Sequence, residues 1–415
     1  MTMITIEELR QICLNKKVYI WGAMIVGQGV CRSLERISIP VHSFLDSSAS
    51  LQGRKALGYD IRKPDEAFDV VRSGDGIIIA ASGHCDLEIG DCCNKTGLKR
   101  GRDYILCREL NEIDPSIDVS GICNLRCISC PRGNDSSRFA SGFMNTATYD
   151  KVLRKLIREI PLLGSIQLYT WGEPLLNSEL PEIIRITRDA KVLCAISSNL
   201  NYAKNLEAVV TARPDWFKVS CSGWGENYEL THTGGKWDVF LPNLQKLAKL
   251  RDRLHPEMQI TLNYHLYRHN IGDDYRRMEA LCNELSLIFR PSPAYLYPAD
   301  AVMDYIDGKK LSPEALKTLP LLLMDLDEGI EKARARAAQP CPEERCFPIN
   351  WDCSVRECGV FFRPFIVQNF LETPLREILE QKRKSRLCVE CKKRGVHQFT
   401  GVYLAEKRLY GVETK

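Results

Sequence analysis

Long apolar runs are the first thing this chain lacks. The stretch Leu319-Pro320-Leu321-Leu322-Leu323-Met324 is far shorter than the roughly 20 residues a membrane helix needs. A basic region followed by an apolar one is missing at the N-terminus, which argues against a secretory signal. Charge of one sign is also scarce. The net charge is +4 over 415 residues. No dense Lys/Arg stripe with interleaved aromatics offers a nucleic-acid face. The run Lys382-Arg383-Lys384 reads as a solvated helix face. These absences predict a soluble, cytoplasmic protein with no nucleic-acid and no membrane partner. Cysteine is what the chain does not lack. Eighteen in a reducing compartment point to metal ligands or buried apolar residues before disulfides.

Length allows two or three domains. The first, residues 1–110, reads as a Rossmann-like parallel sheet. Lys17-Val18-Tyr19-Ile20-Trp21 is a buried strand ending at Gly22, a helix with Val26, Val30 and Leu34 on one face follows, and strands recur at Val41–Leu45 and at Ile77–Ala81. The last is followed by Ser82-Gly83-His84. Asp46 lies 24 residues after Gly22, near the spacing of a carboxylate that holds a ribose. The full glycine fingerprint is absent. The turn reads Gly22-Ala23-Met24-Ile25-Val26-Gly27, and Met24 obstructs the approach of a pyrophosphate. Gly22, Gly27 and Asp46 are therefore candidates for a nucleotide site, beside the alternative of a sheet used only for docking or stability. Cys13, Cys31, Cys85, Cys92, Cys93 and Cys107 share no ligand spacing and read as structural.

From residue 111 to about 310 short apolar strands alternate with amphipathic helices. Strands are expected at Ser116–Ser120, Ser165–Thr170, Val192–Ile196, Phe217–Cys221, Gln259–Tyr267 and Leu287–Arg290. Six strands separated by helices predict an α/β fold with a parallel, incompletely closed (β/α)6 barrel. Such barrels put chemistry at the C-terminal ends of their strands. At that end of the first strand stands Cys123-Asn124-Leu125-Arg126-Cys127-Ile128-Ser129-Cys130. A four-iron cluster on three thiolates leaves one iron open, the logic of a catalytic site. Zinc prefers four ligands in paired spacings, although a zinc loop or three unrelated cysteines remain alternatives.

The C-x3-C-x2-C spacing resembles the cluster loop of radical S-adenosylmethionine (SAM) enzymes. Trp171-Gly172-Glu173-Pro174 is similar to that family's Gly-Gly-Glu-Pro turn, which receives the amino group of the cofactor. The resemblance further implies Ser198 and Asn199 near the SAM carboxylate and ribose, Ser220 and Ser222 at the ribose, and Asn263 and His265 near adenine. Ser129 stands where the family often has an aromatic. Beyond a linker expected to be helical over 312–338, the segment 311–415 resembles the SPASM/twitch extension. Matching its motif gives Cys346, Cys358, Cys388 and Cys391 as ligands of an auxiliary cluster, with Cys341 and Cys353 as substitutes and a four-thiolate zinc as the alternative.

The resemblance implies two [4Fe-4S] clusters, S-adenosyl-L-methionine, a flavodoxin- or ferredoxin-type reductant, and a 5′-deoxyadenosyl radical that takes hydrogen from carbon. The expected substrate is a sugar, nucleotide-sugar or similar small metabolite, and the outcome oxidation or epimerisation. Epimerisation asks for a hydrogen donor, for which Cys221 is the candidate, since Cys194 lies within a strand and Cys282 on an apolar helix stripe. A peptide-modifying maturase is the first alternative. A non-catalytic iron–sulfur electron-transfer protein is the second.

Overall fold

The computed structural model describes residues 3–82, 86–111, 113–134, 141–362 and 364–406. Gly83, His84 and Cys85 of the third expected turn lie outside them. Contacts divide the chain into two compact units: Met1–Asp114 with Leu153–Ile166 and Ile186–Cys194, and Pro115–Val152 with Gln167–Arg185 and Ala195–Lys415. The expected third segment, 311–415, falls within the second unit.

The first unit is built on a sheet of β1 (Lys17–Trp21), β2 (Val41–Leu45), β3 (Lys55–Ala56), β4 (Tyr59–Arg62), β5 (Gly76–Ala80) and β6 (Tyr104–Leu106). Its order is β3-β4-β2-β1-β5-β6. All pairings are parallel except β3–β4, a hairpin that sequence reading did not anticipate. Its turn, Leu57-Gly58, has positive φ at both residues (51° and 89°), the backbone a tight hairpin demands. Alternation along β1 and β5 sends Val18, Ile20, Ile77 and Ile79 into one core and Tyr19, Trp21, Ile78 and Ala80 into another. Both faces are therefore covered, as continuous apolar strands require.

The second sheet holds nine strands: β7 (Asp114–Ile117), β8 (Ser165–Gln167), β9 (Leu193–Ser198), β10 (Trp216–Cys221), β11 (Gln259–Leu266), β12 (Ile288–Pro293), β13 (Cys346–Ile349), β14 (Val355–Arg356) and β15 (Phe365–Val367). The order β12-β11-β10-β9-β8-β7 is sequential, and the pairs β7–β8, β9–β10, β10–β11 and β11–β12 are parallel. Helices Thr146–Glu159, Leu180–Asp189, Leu206–Thr211, Trp237–Leu254 and Asp273–Glu284 alternate with these strands. This is the incomplete (β/α)6 barrel the sequence predicts. Beyond β7 the sheet continues into β13, β14 and β15, so the cysteine-rich C-terminal region grows from the barrel's own edge. The linker is not one helix. It breaks into Pro313–Thr318, Leu319–Leu321 and Leu326–Ala335. Pro313 starts the first of these behind the Ser312 cap, and Pro320 lacks the N–H that would carry the helix through. Among the described residues no helix is long and apolar enough to cross a membrane.

Candidate active site

The cysteine loop is pinned at both sides by backbone. Arg126 and Ile128 N–H groups donate to the carbonyls of Thr233 (2.8 Å) and Thr231 (3.2 Å), and Glu173 N–H donates to the Ile122 carbonyl (2.8 Å). Asn199 Nδ2 donates to Asn124 Oδ1 at 3.0 Å and lies 3.7 Å from Cys123 Sγ. Burial pushes the Cys123 thiol up to about 12, with Glu173 adding to the effect, and holds Cys127 well above the usual thiol range. Such thiols are poor nucleophiles as they stand. A bound metal reverses that logic, because it deprotonates its ligands outright.

The turn after β8 is held by one carboxylate. Asp118 accepts the N–H groups of Thr170 (3.3 Å), Trp171 (3.2 Å) and Gly172 (3.2 Å). Gly172 packs directly on Ser120, where any Cβ would stand 1.7 Å from a carbonyl oxygen. Glu173 is 2% exposed and caps the short turn that begins at Pro174, accepting from Leu175 N–H at 3.1 Å. Its other oxygen accepts from Asn199 N–H at 2.9 Å. Burial raises its pKa to about 7 against the pull of these hydrogen bonds. Among the described residues no lysine or arginine pairs with it. A buried carboxylate without a cation is costly unless a cation arrives.

These elements surround one cavity of about 300 Å³. Of the residues the sequence singled out, Cys123, Cys127, Cys130, Trp171, Gly172, Glu173, Ser198, Asn199, Ser220, Ser222 and His265 line it. Pro174 is buried behind the turn, and Asn263 does not line the cavity. Cys221 is a correction. Its neighbours Ser220 and Ser222 face the cavity, so strand alternation turns Cys221 to the opposite face, where it is 0% exposed and donates weakly to the Gly223 carbonyl at 3.4 Å. It is withdrawn as a hydrogen donor.

Sequence reading missed the aromatic wall. The Trp171 and Tyr297 rings pack at a tilt of 34° with centroids 4.8 Å apart, and Tyr295 is edge-on to Tyr297 at 6.0 Å. The alternation Ala294-Tyr295-Leu296-Tyr297 after β12 was the available signal. Tyr267 follows β11 directly and lines the cavity with Ser129, and so brings an aromatic ring to the place where the loop itself has none. His232 also lines the cavity, from a loop with no periodicity to betray it.

A second set of thiols gathers in the C-terminal region. Cys341, Cys346, Cys358, Cys388 and Cys391 lie near enough to act on one another's charge. Cys341 thus joins the four that motif matching named. Cys353 stands apart, at φ 69° beside Asp352. Among the described residues no three His, Cys, Asp or Glu side chains close on a point as ligands of a single ion do. Two buried cations attend the set. Lys382, 9% exposed, donates to the Cys346 carbonyl. This corrects the reading of Lys382-Arg383-Lys384 as a wholly solvated face. Among the described residues Arg356, 1% exposed, has no hydrogen-bond partner for any of its three guanidinium nitrogens, and its charge interacts with Asp118 and then with Cys346 and Cys358. Its guanidinium lies 5.4 Å from the Trp171 ring, between the thiols and the cavity wall.

In the first unit the nucleotide candidates do structural work. Gly22, at φ 123°, packs on Ala81, and Gly27 packs on the Gly22 carbonyl. Asp46 accepts from Ala23 N–H and Ser48 N–H, both at 2.9 Å, and so ties the turn after β1 to the end of β2.

No family model matches the chain. A 7,8-dihydro-6-hydroxymethylpterin dimethyltransferase of Methanocaldococcus jannaschii is 31% identical over 106 residues, 22% of this chain and 19% of that protein. Among solved structures, SuiB of Streptococcus suis aligns with a TM-score of 0.45 and 13% identity over 68% of this chain and 71% of its own. The figures for anSMEcpe are 0.45 and 15% over 69% and 88%, and for BtrN 0.37 and 15% over 70% and 91%. Each of these three was solved with bound S-adenosylmethionine. The chain spans about a fifth of the curated relative.

Proposed function

We propose that this chain is a radical SAM enzyme. The observation that carries the reading is Glu173, a buried carboxylate without a cationic partner among the described residues, in one cavity with the three-cysteine loop. That pairing suits a ligand with a positive amino group lying beside a metal cluster. Cys123, Cys127 and Cys130 hold the cluster, and the Trp171–Pro174 turn receives the ammonium. Ser198 and Asn199 face the carboxylate and ribose, and Ser220, Ser222 and His265 complete the pocket. Tyr267 offers a ring for the adenine. When bound, the cluster and S-adenosylmethionine supply a carbon radical able to take hydrogen from an unactivated C–H bond. The chain's part is to position that bond and exclude water.

The C-terminal thiols fit a second, auxiliary iron–sulfur group. The orphaned Arg356 guanidinium supports this, since a buried cation with three unsatisfied donors asks for an anion. The substrate is a sugar, nucleotide-sugar or similar small metabolite. Oxidation is favoured over epimerisation, because among the described residues the thiols lining the cavity are those of the loop. An auxiliary group held by these thiols would supply an electron acceptor for such an oxidation. A flavodoxin- or ferredoxin-type protein supplies the reducing electron.

The test is anaerobic. Reconstituted protein is mixed with S-adenosylmethionine and a strong reductant, and 5′-deoxyadenosine is quantified with and without pools of sugar phosphates and nucleotide-sugars. Release stimulated by a pool supports the reading. No release from protein whose clusters are fully loaded overturns it in favour of electron transfer.

A further inference from the structure

The C-terminal thiols stand beneath a surface that the reading above leaves unused. Residues 382–394 hold seven Lys or Arg and one acid, Glu390. Seven less one is +6, whereas the whole chain carries +4, so the rest of the chain is net negative. The segment spans the end of helix Leu375–Arg383 and the whole of helix Arg386–Lys393, which carries Cys388 and Cys391. On that helix Arg386, Val389 and Lys393 stand at i, i+3 and i+7 and so share one stripe. All three are exposed, Val389 by 58%. The two cysteines project from the other side of the helix, and Cys391 is buried. About 10 Å, one helix diameter, separates the stripe from the thiols.

Helix ends account for part of this charge. Lys382, Arg383, Lys392 and Lys393 lie in last turns, where the helix dipole favours cations. Lys392 pairs with Glu344 at 3.8 Å, and Arg394 pairs with Asp307. Neither reason covers Arg386. It opens its helix, where the dipole disfavours a cation, and no acid shares that first turn. Among the described residues Lys384, Arg386 and Lys393 form no ion pair. Their mutual repulsion gains nothing inside the folded chain. An acidic partner would remove it, and the exposed Val389 gives that partner an apolar contact. Residues 382–394 offer no aromatic ring on which a base could stack, which favours a protein over a nucleic acid.

We propose that this face, with Val389 at its centre and Lys384, Arg386 and Lys393 beside it, docks a small acidic electron-carrier protein. A carrier seated there lies one helix thickness from Cys388 and Cys391. In its oxidised form it gains the one electron that the auxiliary site gives up, and no proton or bond moves at this surface. The electron-exit role rests on the radical SAM reading and on an oxidation; the docking surface itself does not.

The test separates the two. The full-length reconstituted protein is titrated calorimetrically with an oxidised ferredoxin of net negative charge, at low and at high salt. Binding that weakens with salt is expected. Arg386→Glu combined with Lys393→Glu should weaken it by about tenfold or more, because like charges then face each other. Lys246→Glu combined with Lys249→Glu makes the same charge change on another exposed helix face and should leave it intact. In rapid mixing, the reduced protein should pass its electron to this ferredoxin more slowly in the Arg386/Lys393 variant, while oxidation by a small neutral quinone keeps its rate. No ferredoxin binding, binding indifferent to salt, or equal loss in both double variants overturns the proposal. So does tighter binding of a single-stranded RNA that the Arg386/Lys393 variant loses, which would give the face to nucleic acid. Deoxyadenosine release with dithionite but no ferredoxin binding would remove the surface and leave the radical reading. Salt-sensitive ferredoxin binding at this face without deoxyadenosine release under any condition would do the reverse.

Discussion

Glu173 and His232 show how single buried groups report on this cavity. Glu173 has no cation in reach among the described residues, so its charge is poised for one that comes with a ligand. Glu173→Gln should keep the hydrogen-bonded shape and lower S-adenosylmethionine affinity by about tenfold or more in equilibrium dialysis. His232 is 5% exposed, and burial, helped by His265, pushes its pKa from the ordinary 6.5 to about 3. The unfolded chain takes up a proton there near pH 6.5, whereas the folded one does not until about pH 3. Its contribution is therefore fully present above pH 6.5 and is lost as pH falls, by up to ~1.4 kcal/mol per unit. Urea melts at pH 6.5 and 5.0 should show His232→Gln losing less stability than the parent. The place of Glu173 was legible in its turn motif, but that of His232 was not, because burial of a lone loop histidine leaves no local pattern.

At the scale of elements, the strands carrying apolar runs were legible to within a few residues, and so was their parallel order. Strand faces were not. Cys221 was assigned to the cavity and Lys382 to solvent because a sequence shows where a strand ends or a helix is charged, but not which side meets the interior. The turn after β8 depends on a close approach of two backbones. Gly172→Ala would put a methyl group 1.7 Å from the Ser120 carbonyl oxygen. That oxygen cannot retreat without moving the cysteine loop, so cluster loading, read as iron content and visible absorbance, should fall with it. Arg356 sits between the thiol set and Trp171, and its loss should be felt by the auxiliary group. A neighbouring cation favours the reduced, more negative state. Arg356→Met should therefore shift the auxiliary midpoint potential downward in a titration followed by electron paramagnetic resonance. An unchanged potential would assign Arg356 another partner.

For the whole molecule, iron content tests the two-site reading directly. The reconstituted protein should hold about eight irons per chain, four for each cluster. Replacing Cys123, Cys127 and Cys130 together by Ala should leave about four and abolish deoxyadenosine release. Replacing Cys346 and Cys388 should also leave about four, while the loop cluster and its S-adenosylmethionine binding persist. A third outcome, about one zinc per chain at the C-terminal thiols by metal analysis, would return that site to the structural alternative. The sheet itself joins the two sites, since β13 continues the barrel edge at β7 and β14 follows it.

What the sequence determined by itself was local: the C-x3-C-x2-C loop, the Trp171–Pro174 turn and the polar residues at successive strand ends. Each of these is a few residues whose spacing along the chain carries its own chemistry. The tertiary structure alone decided which side chains share a space. The contact of Trp171 with Tyr297, the gathering of Cys341 with Cys388 and Cys391, and the burial of Lys382 against the Cys346 carbonyl each join segments far apart in the chain. Periodicity reveals that a residue alternates, while only packing reveals what it meets.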